Sequence, residues 1–274
     1  MRNDATVIIV GSGAGGGAAA WRLASSGIDV LVLEAGPVFD PLVDYRQDSA
    51  QWETPFPAKD GSLSPYVVAP LELLSDDTRS IRSWSRLTGP FATEGRRLNF
   101  GYHHVRGVGG SSLHFTGEAH RLNPRSMTLE SDFGIGADWP MTYDDLDPYW
   151  QIAEEMTGVA GPTHDKSRPR GSPFPLPPHD FSYASAKLAE GARKSGLSPV
   201  ANSLAVCSRP YDGRPDCNYC GGCLRGCMRQ DKGSVDVTYL RKAIVSGNCR
   251  IEPRSEVLKI LTDGNKVTGV LVAK

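Results

Sequence analysis

No apolar run in this sequence approaches the ~20 residues that a transmembrane helix requires. Neither sign of charge is in excess: 30 Lys and Arg stand against 31 Asp and Glu, for a formal net charge of −1. No long basic run is present either, so nucleic acid and anionic membrane surfaces are poor partners for this chain. The N-terminus lacks the layout of a secretory signal, since its short apolar run belongs to a different motif. On that ground the default compartment is the cytoplasm. There is no internal repeat. At 274 residues the chain has ample core for one large domain or two ordinary ones.

What is present begins at Ala5. The run Val7-Ile8-Ile9-Val10 leads into Gly11-Ser12-Gly13-Ala14-Gly15-Gly16, then an Ala-rich segment, then Val30-Leu31-Val32-Leu33 ending on Glu34. Strand, glycine turn, helix, strand and acidic residue stand in the order that a dinucleotide site needs. Gly11 permits the sharp turn out of the strand. Gly13 lets the backbone, continuing into Ala14, approach a pyrophosphate at the positive end of the helix. Gly16 allows helix and strand to pack closely, and Glu34 can accept hydrogen bonds from a ribose hydroxyl. These features predict an α/β fold: a Rossmann-like domain with a parallel sheet, interrupted by loop-rich segments on the substrate side.

Four segments divide the chain. Residues 1–36 form the opening βαβ unit. Residues 37–160 are loop-rich, without sustained period from Pro37 to Leu98, and carry a second glycine cluster and a helix. That helix opens at Thr142-Tyr143-Asp144-Asp145, which resembles a capping box, and runs to about Met156. Residues 161–248 hold a proline-rich connector, a helix from about Tyr183 to Lys194 capped near Gly196, a cysteine-rich loop and a short helix from Thr238 to Val245. Residues 249–274 supply return strands. There Ile251 to Leu261 reads as one strand, followed by a turn at Thr262-Asp263-Gly264-Asn265 and a last strand. The sequence stops directly after that apolar strand, which suggests part of a longer protein.

The second glycine cluster, Gly107-Val108-Gly109-Gly110-Ser111-Ser112-Leu113-His114, offers backbone N–H groups and hydroxyls at short spacing. That suits contact with a phosphate or a flat ring, and equally suits a turn between strands. Farther on, Cys217, Cys220, Cys223 and Cys227 follow the C-x2-C-x2-C-x3-C spacing of ferredoxin-type cluster ligands, with Met228 in place of the usual proline. Zinc fits this spacing less well. Reduced structural thiols, or a disulfide in an oxidising compartment, remain alternatives. His103 and His104 read as structural or surface residues, and His120, His164 and His179 show no motif.

Taken together, the opening motif, VGGSSLHFTGEAHRLNP and DWPMTYDDLDPYW resemble the N-terminal half of the glucose–methanol–choline (GMC) flavin oxidoreductases. The likeness is nearest to sugar and gluconate dehydrogenase large subunits. The resemblance implies FAD, with its ADP moiety on Gly11, Gly13, Ala14 and Gly16 and its ribose on Glu34. It places Gly109, Gly110, Ser111, Ser112 and His114 along the pyrophosphate and isoalloxazine, and a backbone contact to adenine at Val257. It further implies that His114, four residues after the double glycine, either bonds the flavin covalently or packs beside it. Some sugar dehydrogenases of the family carry an iron–sulfur cluster near the cysteine run.

The expected activity is oxidation of the CH–OH group of an alcohol, sugar or polyol by hydride transfer to flavin. The expected electron acceptor is not oxygen, with a small subunit and a cytochrome as partners. Through such a partner the protein would be periplasmic or membrane-associated. The family's catalytic His, paired with Asn or His, belongs to a C-terminal region absent here, so no catalytic residue is named and the chain alone is expected to be inactive. Two alternatives stand: a non-catalytic FAD-binding or electron-relay chain completed by another subunit, and an NAD-dependent Rossmann enzyme, against which the second glycine cluster argues.

Overall fold

The computed structural model describes residues 5–45, 71–72, 104–163, 165 and 167–274. Most of the segment expected to be loop-rich between Pro37 and Leu98 lies outside the described residues, as do His103 and His164. The chain forms two compact units, 1–114 with 224–228 and 239–274, and 115–223 with 229–238.

The first unit is built on a parallel sheet. Strand β1 (Val7–Val10), helix α1 (Ala14–Ser25) and strand β2 (Val30–Leu33) follow one another as expected. The register pairs Val7 with Val30 and Val10 with Leu33. All four residues of β2 are buried, which is why it reads as a continuous apolar run rather than an alternating one. Small residues on α1 allow close packing on the sheet, with Ala20 and Ala24 fully buried. Trp21 meets Tyr239 edge to face at 5.8 Å.

The third strand of this sheet differs from the sequence expectation. Cys249–Glu252 forms its own strand, β3, parallel to β2, with Val30 opposite Cys249 and Leu33 opposite Glu252. The chain then leaves the sheet through Pro253-Arg254-Ser255, where Arg254 adopts a φ of 52°. Strands β4 (Glu256–Asp263) and β5 (Lys266–Ala273) pair separately as an antiparallel hairpin. The single strand expected from Ile251 to Leu261 is thus two, because Pro253 has no N–H to continue a ladder. The helix expected over 238–245 also divides, into a π-type turn at Asp236–Leu240 and helix α4 at Arg241–Val245.

The second unit carries helices α2 (Tyr143–Thr157) and α3 (Tyr183–Lys194), both at the expected places. Thr142 and Asp145 form a reciprocal capping box at the start of α2. Irregular chain is stitched by single bridges, Glu118 to Leu204 and Ala160 to both Leu176 and Leu204. A small apolar core gathers Ala160, Leu176 and Cys207, with Tyr211 against it.

Polar burial in this unit centres on Arg121, whose side chain is 2% exposed. It grips Glu154 through Nε and Nη2 at 2.8 and 3.0 Å and bonds Asp147 through Nη1. Arg170 binds the same Glu154 at 3.1 Å through Nη1. Burial alone would lower the Arg121 pKa, but the two carboxylates outweigh it and raise it. These contacts tie α2 to the chain on either side of it.

Candidate functional site

Within the first unit, the two glycine clusters meet. Gly11 leaves β1 at a φ of +87° and its N–H donates to the Leu33 carbonyl at 2.8 Å. A Cβ on Gly16 would lie 2.0 Å from the Gly11 carbonyl oxygen and 3.3 Å from Cγ2 of Ile9, so glycine there is what lets α1 close on β1. Helix α1 starts with no side-chain cap and no acidic residue in its first turn. Its leading N–H groups, together with the helix dipole, suit an anion. Around Gly11, Gly13 and Gly15, an added Cβ would meet nothing within 4 Å, so the backbone there faces open space.

The second cluster sits directly on this turn. Gly110, at φ +57°, would bring a Cβ to 2.8 Å from the Cα of Gly13. Gly36 is equally crowded, with the Arg106 carbonyl carbon 2.2 Å from where its Cβ would be. Gly110 opens a 3-10 turn that runs to Leu113. The Ser112 hydroxyl donates to the Gly109 carbonyl at 2.6 Å, and the Ser111 hydroxyl accepts from the Val105 N–H at 3.3 Å. Thus Gly13 and Gly110, far apart in sequence, are in contact.

Ser12 is the residue that sequence reasoning missed. It is fully buried, and its N–H and hydroxyl both donate to Oε2 of Glu34, at 2.9 and 2.6 Å. The same hydroxyl accepts from the Gly109 N–H at 3.1 Å. Oε1 of Glu34 takes the Gly36 N–H at 2.9 Å. Glu34 therefore holds the backbone at Ser12 and Gly36, and by lone-pair count Oε1 retains room for a further donor such as a ribose hydroxyl. The only sequence signal for Ser12 was a small hydroxyl between two turn glycines.

Two further segments come to the same place. The Ser255 N–H donates to the Glu34 carbonyl at 2.8 Å and the Arg254 N–H to the Gly36 carbonyl at 2.9 Å. Val257, two residues on in β4, is thereby held near the Glu34 end of the site. Arg106 pairs with Glu256 at 2.8 Å. His114 follows the 3-10 turn, 8% exposed, with Nδ1 bonded to the Leu224 carbonyl.

The residues present fit an FAD dinucleotide: an uncapped helix start, open backbone at three glycines, and a buried carboxylate at the end of β2. None of the six cysteines is in a disulfide. Burial pushes the Cys217 thiol up to about 11 and raises those of Cys207 and Cys223. Among the described residues, no three His, Cys, Asp or Glu side chains gather where a metal ion would sit. Among the described residues, too, no helix is long and apolar enough to cross a membrane.

Comparison with known proteins agrees with this geometry. An NAD(P)-binding Rossmann-like domain model matches residues 9–39, and a GMC oxidoreductase model matches residues 177–274. The fructose dehydrogenase large subunit of Gluconobacter japonicus is 31% identical over 238 residues, covering 82% of this chain and 40% of that protein. The gluconate 2-dehydrogenase flavoprotein of Pantoea cypripedii is 26% identical, covering 96% of this chain and 46% of that protein. The chain thus spans less than half the length of these curated relatives. Among solved structures, a fungal aryl-alcohol oxidase superposes with a TM-score of 0.53 at 19% identity, covering 99% of this chain and 42% of that one. Pyridoxine 4-oxidase from Mesorbium loti gives a TM-score of 0.51 at 19% identity, over 98% of this chain and 46% of that one. At such identities the solved structures speak for the fold alone.

Proposed function

The chain carries the N-terminal region of a GMC oxidoreductase, and from that premise we propose that it forms the FAD-binding part of an enzyme oxidising the CH–OH group of an alcohol, sugar or polyol. The observation that carries this reading is the seating of Gly110 on Gly13, with Ser12 bonded to both Glu34 and Gly109. A simple nicotinamide site needs the first glycine turn only. Here a second glycine loop extends the same surface from the helix N-terminus toward His114.

In this reading the leading N–H groups of α1 hold the pyrophosphate, and Glu34 accepts from the adenosine ribose. Val257 supplies backbone to the adenine, and Gly109 to Ser112 lie along the cofactor toward its ring. The bound flavin would supply the acceptor for a substrate hydride, while the protein supplies binding, orientation and a dry surface. We assign no base to this chain. His114 is read as the residue bonded to, or packed on, the flavin ring. Acid precipitation separates the two: a yellow pellet from the native protein and a colourless one from His114→Ala mark the covalent form.

Electron transfer to an acceptor other than oxygen is supported by the names of some relatives, and a small subunit and a cytochrome are the partners it would use. One is called a large subunit and three are called dehydrogenases. Others are called oxidases, so the acceptor is tested directly by comparing dye reduction with peroxide release. The cysteine spacing favours an iron–sulfur exit. Iron analysis of anaerobically prepared protein decides the point.

A second reading has one observation in its favour. One relative is called a large subunit, and an FAD-binding or electron-relay chain completed by another subunit would fit that name too. The test of both readings is anaerobic titration of the purified protein with a panel of sugars, polyols and primary alcohols. Bleaching of the flavin bands by one class supports the oxidoreductase. Retained flavin with no bleaching supports the relay chain, and colourless protein removes both.

A further inference from the structure

The turn that carries the chain from β3 to β4 is built on a strained residue. Arg254 adopts a φ of 52°, in the left-handed region where a Cβ is crowded and glycine is the usual occupant. The turn itself uses only backbone there. The Arg254 N–H donates to the Gly36 carbonyl at 2.9 Å, and the next N–H, of Ser255, to the Glu34 carbonyl at 2.8 Å. Glycine at this position would make the same bonds without the crowding. Strain that the backbone does not need marks the side chain as the reason for the residue.

That side chain has no structural task. Arg250 and Arg106 are paired, with Asp29 and Glu256 respectively, each at 2.8 Å. Arg254 is exposed, and among the described residues its guanidinium has no hydrogen-bond or ion-pair partner. Its place in the first unit is specific, however. Gly36 gives its N–H to Oε1 of Glu34 at 2.9 Å and its carbonyl to the Arg254 N–H. Oε1 is the oxygen with room for a ribose hydroxyl. Arg254 is therefore anchored one peptide away from the ribose end of the site, and a base joined to that ribose lies within reach of its long side chain.

We infer that Arg254 is a cofactor-specificity residue, whose planar guanidinium stacks on the adenine ring of the bound dinucleotide. A guanidinium is flat, always charged and weakly hydrated, and it is attracted to the face of an aromatic ring. Adenine carries no charge, so the plane matters here more than the cation. The inference rests on the proposed FAD reading and adds to it a side-chain contact that selects for the adenosine half of the cofactor.

The test is equilibrium dialysis of the full-length protein, from riboflavin-starved cells, against ADP, beside urea unfolding of the same samples. ADP carries the adenine, ribose and pyrophosphate but no flavin, so its binding is reversible however His114 meets the ring. Arg254→Gly should weaken ADP binding about three- to tenfold while its urea midpoint stays level or rises, because the strain is gone. Arg254→Lys, which keeps the charge but not the plane, should weaken it similarly. Wild-type affinity in Arg254→Gly overturns the inference, and wild-type affinity in Arg254→Lys overturns the stacking in favour of a charge on the phosphates. An Arg254→Gly protein that is less stable or does not fold also counts against it, since that result makes the residue structural. Wild type that binds neither ADP nor FAD removes the FAD reading and the inference with it. Wild type that binds both, with Arg254→Gly unchanged, removes the inference alone.

Discussion

Ser12 and Glu34 are joined twice, since the backbone N–H and the hydroxyl of Ser12 both donate to one carboxylate oxygen, at 2.9 and 2.6 Å. Because the same hydroxyl receives the Gly109 N–H, this pair fixes the second glycine loop against the first.

Ser12→Ala should therefore loosen both loops at once. Its loss removes one hydrogen bond to a buried carboxylate and leaves the Gly109 N–H without this acceptor, an effect of about 1–3 kcal/mol. FAD affinity, followed by flavin fluorescence during reconstitution, is expected to fall about tenfold or more on that scale. Unchanged affinity would mean that the two loops are held together by other contacts.

Glu34→Ala should weaken FAD retention by about 1–3 kcal/mol, through the lost ribose acceptor and through the freed N–H groups of Ser12 and Gly36. Glu34→Gln separates these contributions, since its amide keeps one acceptor oxygen. Equilibrium dialysis of the two variants against FAD gives the comparison, and equal affinity for both would place the ribose elsewhere.

Glycine substitutions should divide by location. Gly16→Ala and Gly110→Ala push a methyl into backbone, 2.0 Å from the Gly11 oxygen and 2.8 Å from the Gly13 Cα. Each should cost about 1–3 kcal/mol or more in urea unfolding. Gly191→Ala, in α3 with nothing within 4 Å of the new methyl, should instead stabilise by about 0.5–1 kcal/mol. A stabilised Gly16→Ala would mean that α1 does not close on β1 as described.

Acid should loosen the second unit through Asp147. Partial burial pushes its carboxyl up, but the Arg121 hydrogen bond and charge outweigh that and hold it below the usual carboxylate range. A depressed folded pKa contributes stability that is present above the unfolded value of about 3.9 and lost as pH falls through the folded value. Asp147→Asn should flatten the acid limb of a pH–stability curve below about pH 4. Arg121→Met, which strips a buried carboxylate of one partner, should cost about 3–5 kcal/mol at neutral pH. An acid limb unchanged in Asp147→Asn would assign it to other carboxylates.

The sequence by itself determined the elements whose code is local. The βαβ opening could be read from two apolar runs flanking a glycine turn. Helices α2 and α3 could be read from caps and composition, because a capping box and a terminal glycine act within one turn. The likeness to flavin oxidoreductases was legible for the same reason: its motifs are short runs.

Tertiary structure alone decided which of those runs meet. Ser12 and Gly109 are 97 positions apart and His114 and Leu224 are 110 apart. Nothing in period or propensity marks such pairs, since they depend on the path of irregular chain. Pro253, visible in the sequence, broke the expected strand into two. Only the fold showed that the first piece, β3, completes the parallel sheet while the second pairs with β5. A buried serine at position 12 and a carbonyl at Leu224 carry no motif. They acquire their roles because a closed interior leaves a polar group no choice but a partner, and folding supplies the partner from a distant part of the chain.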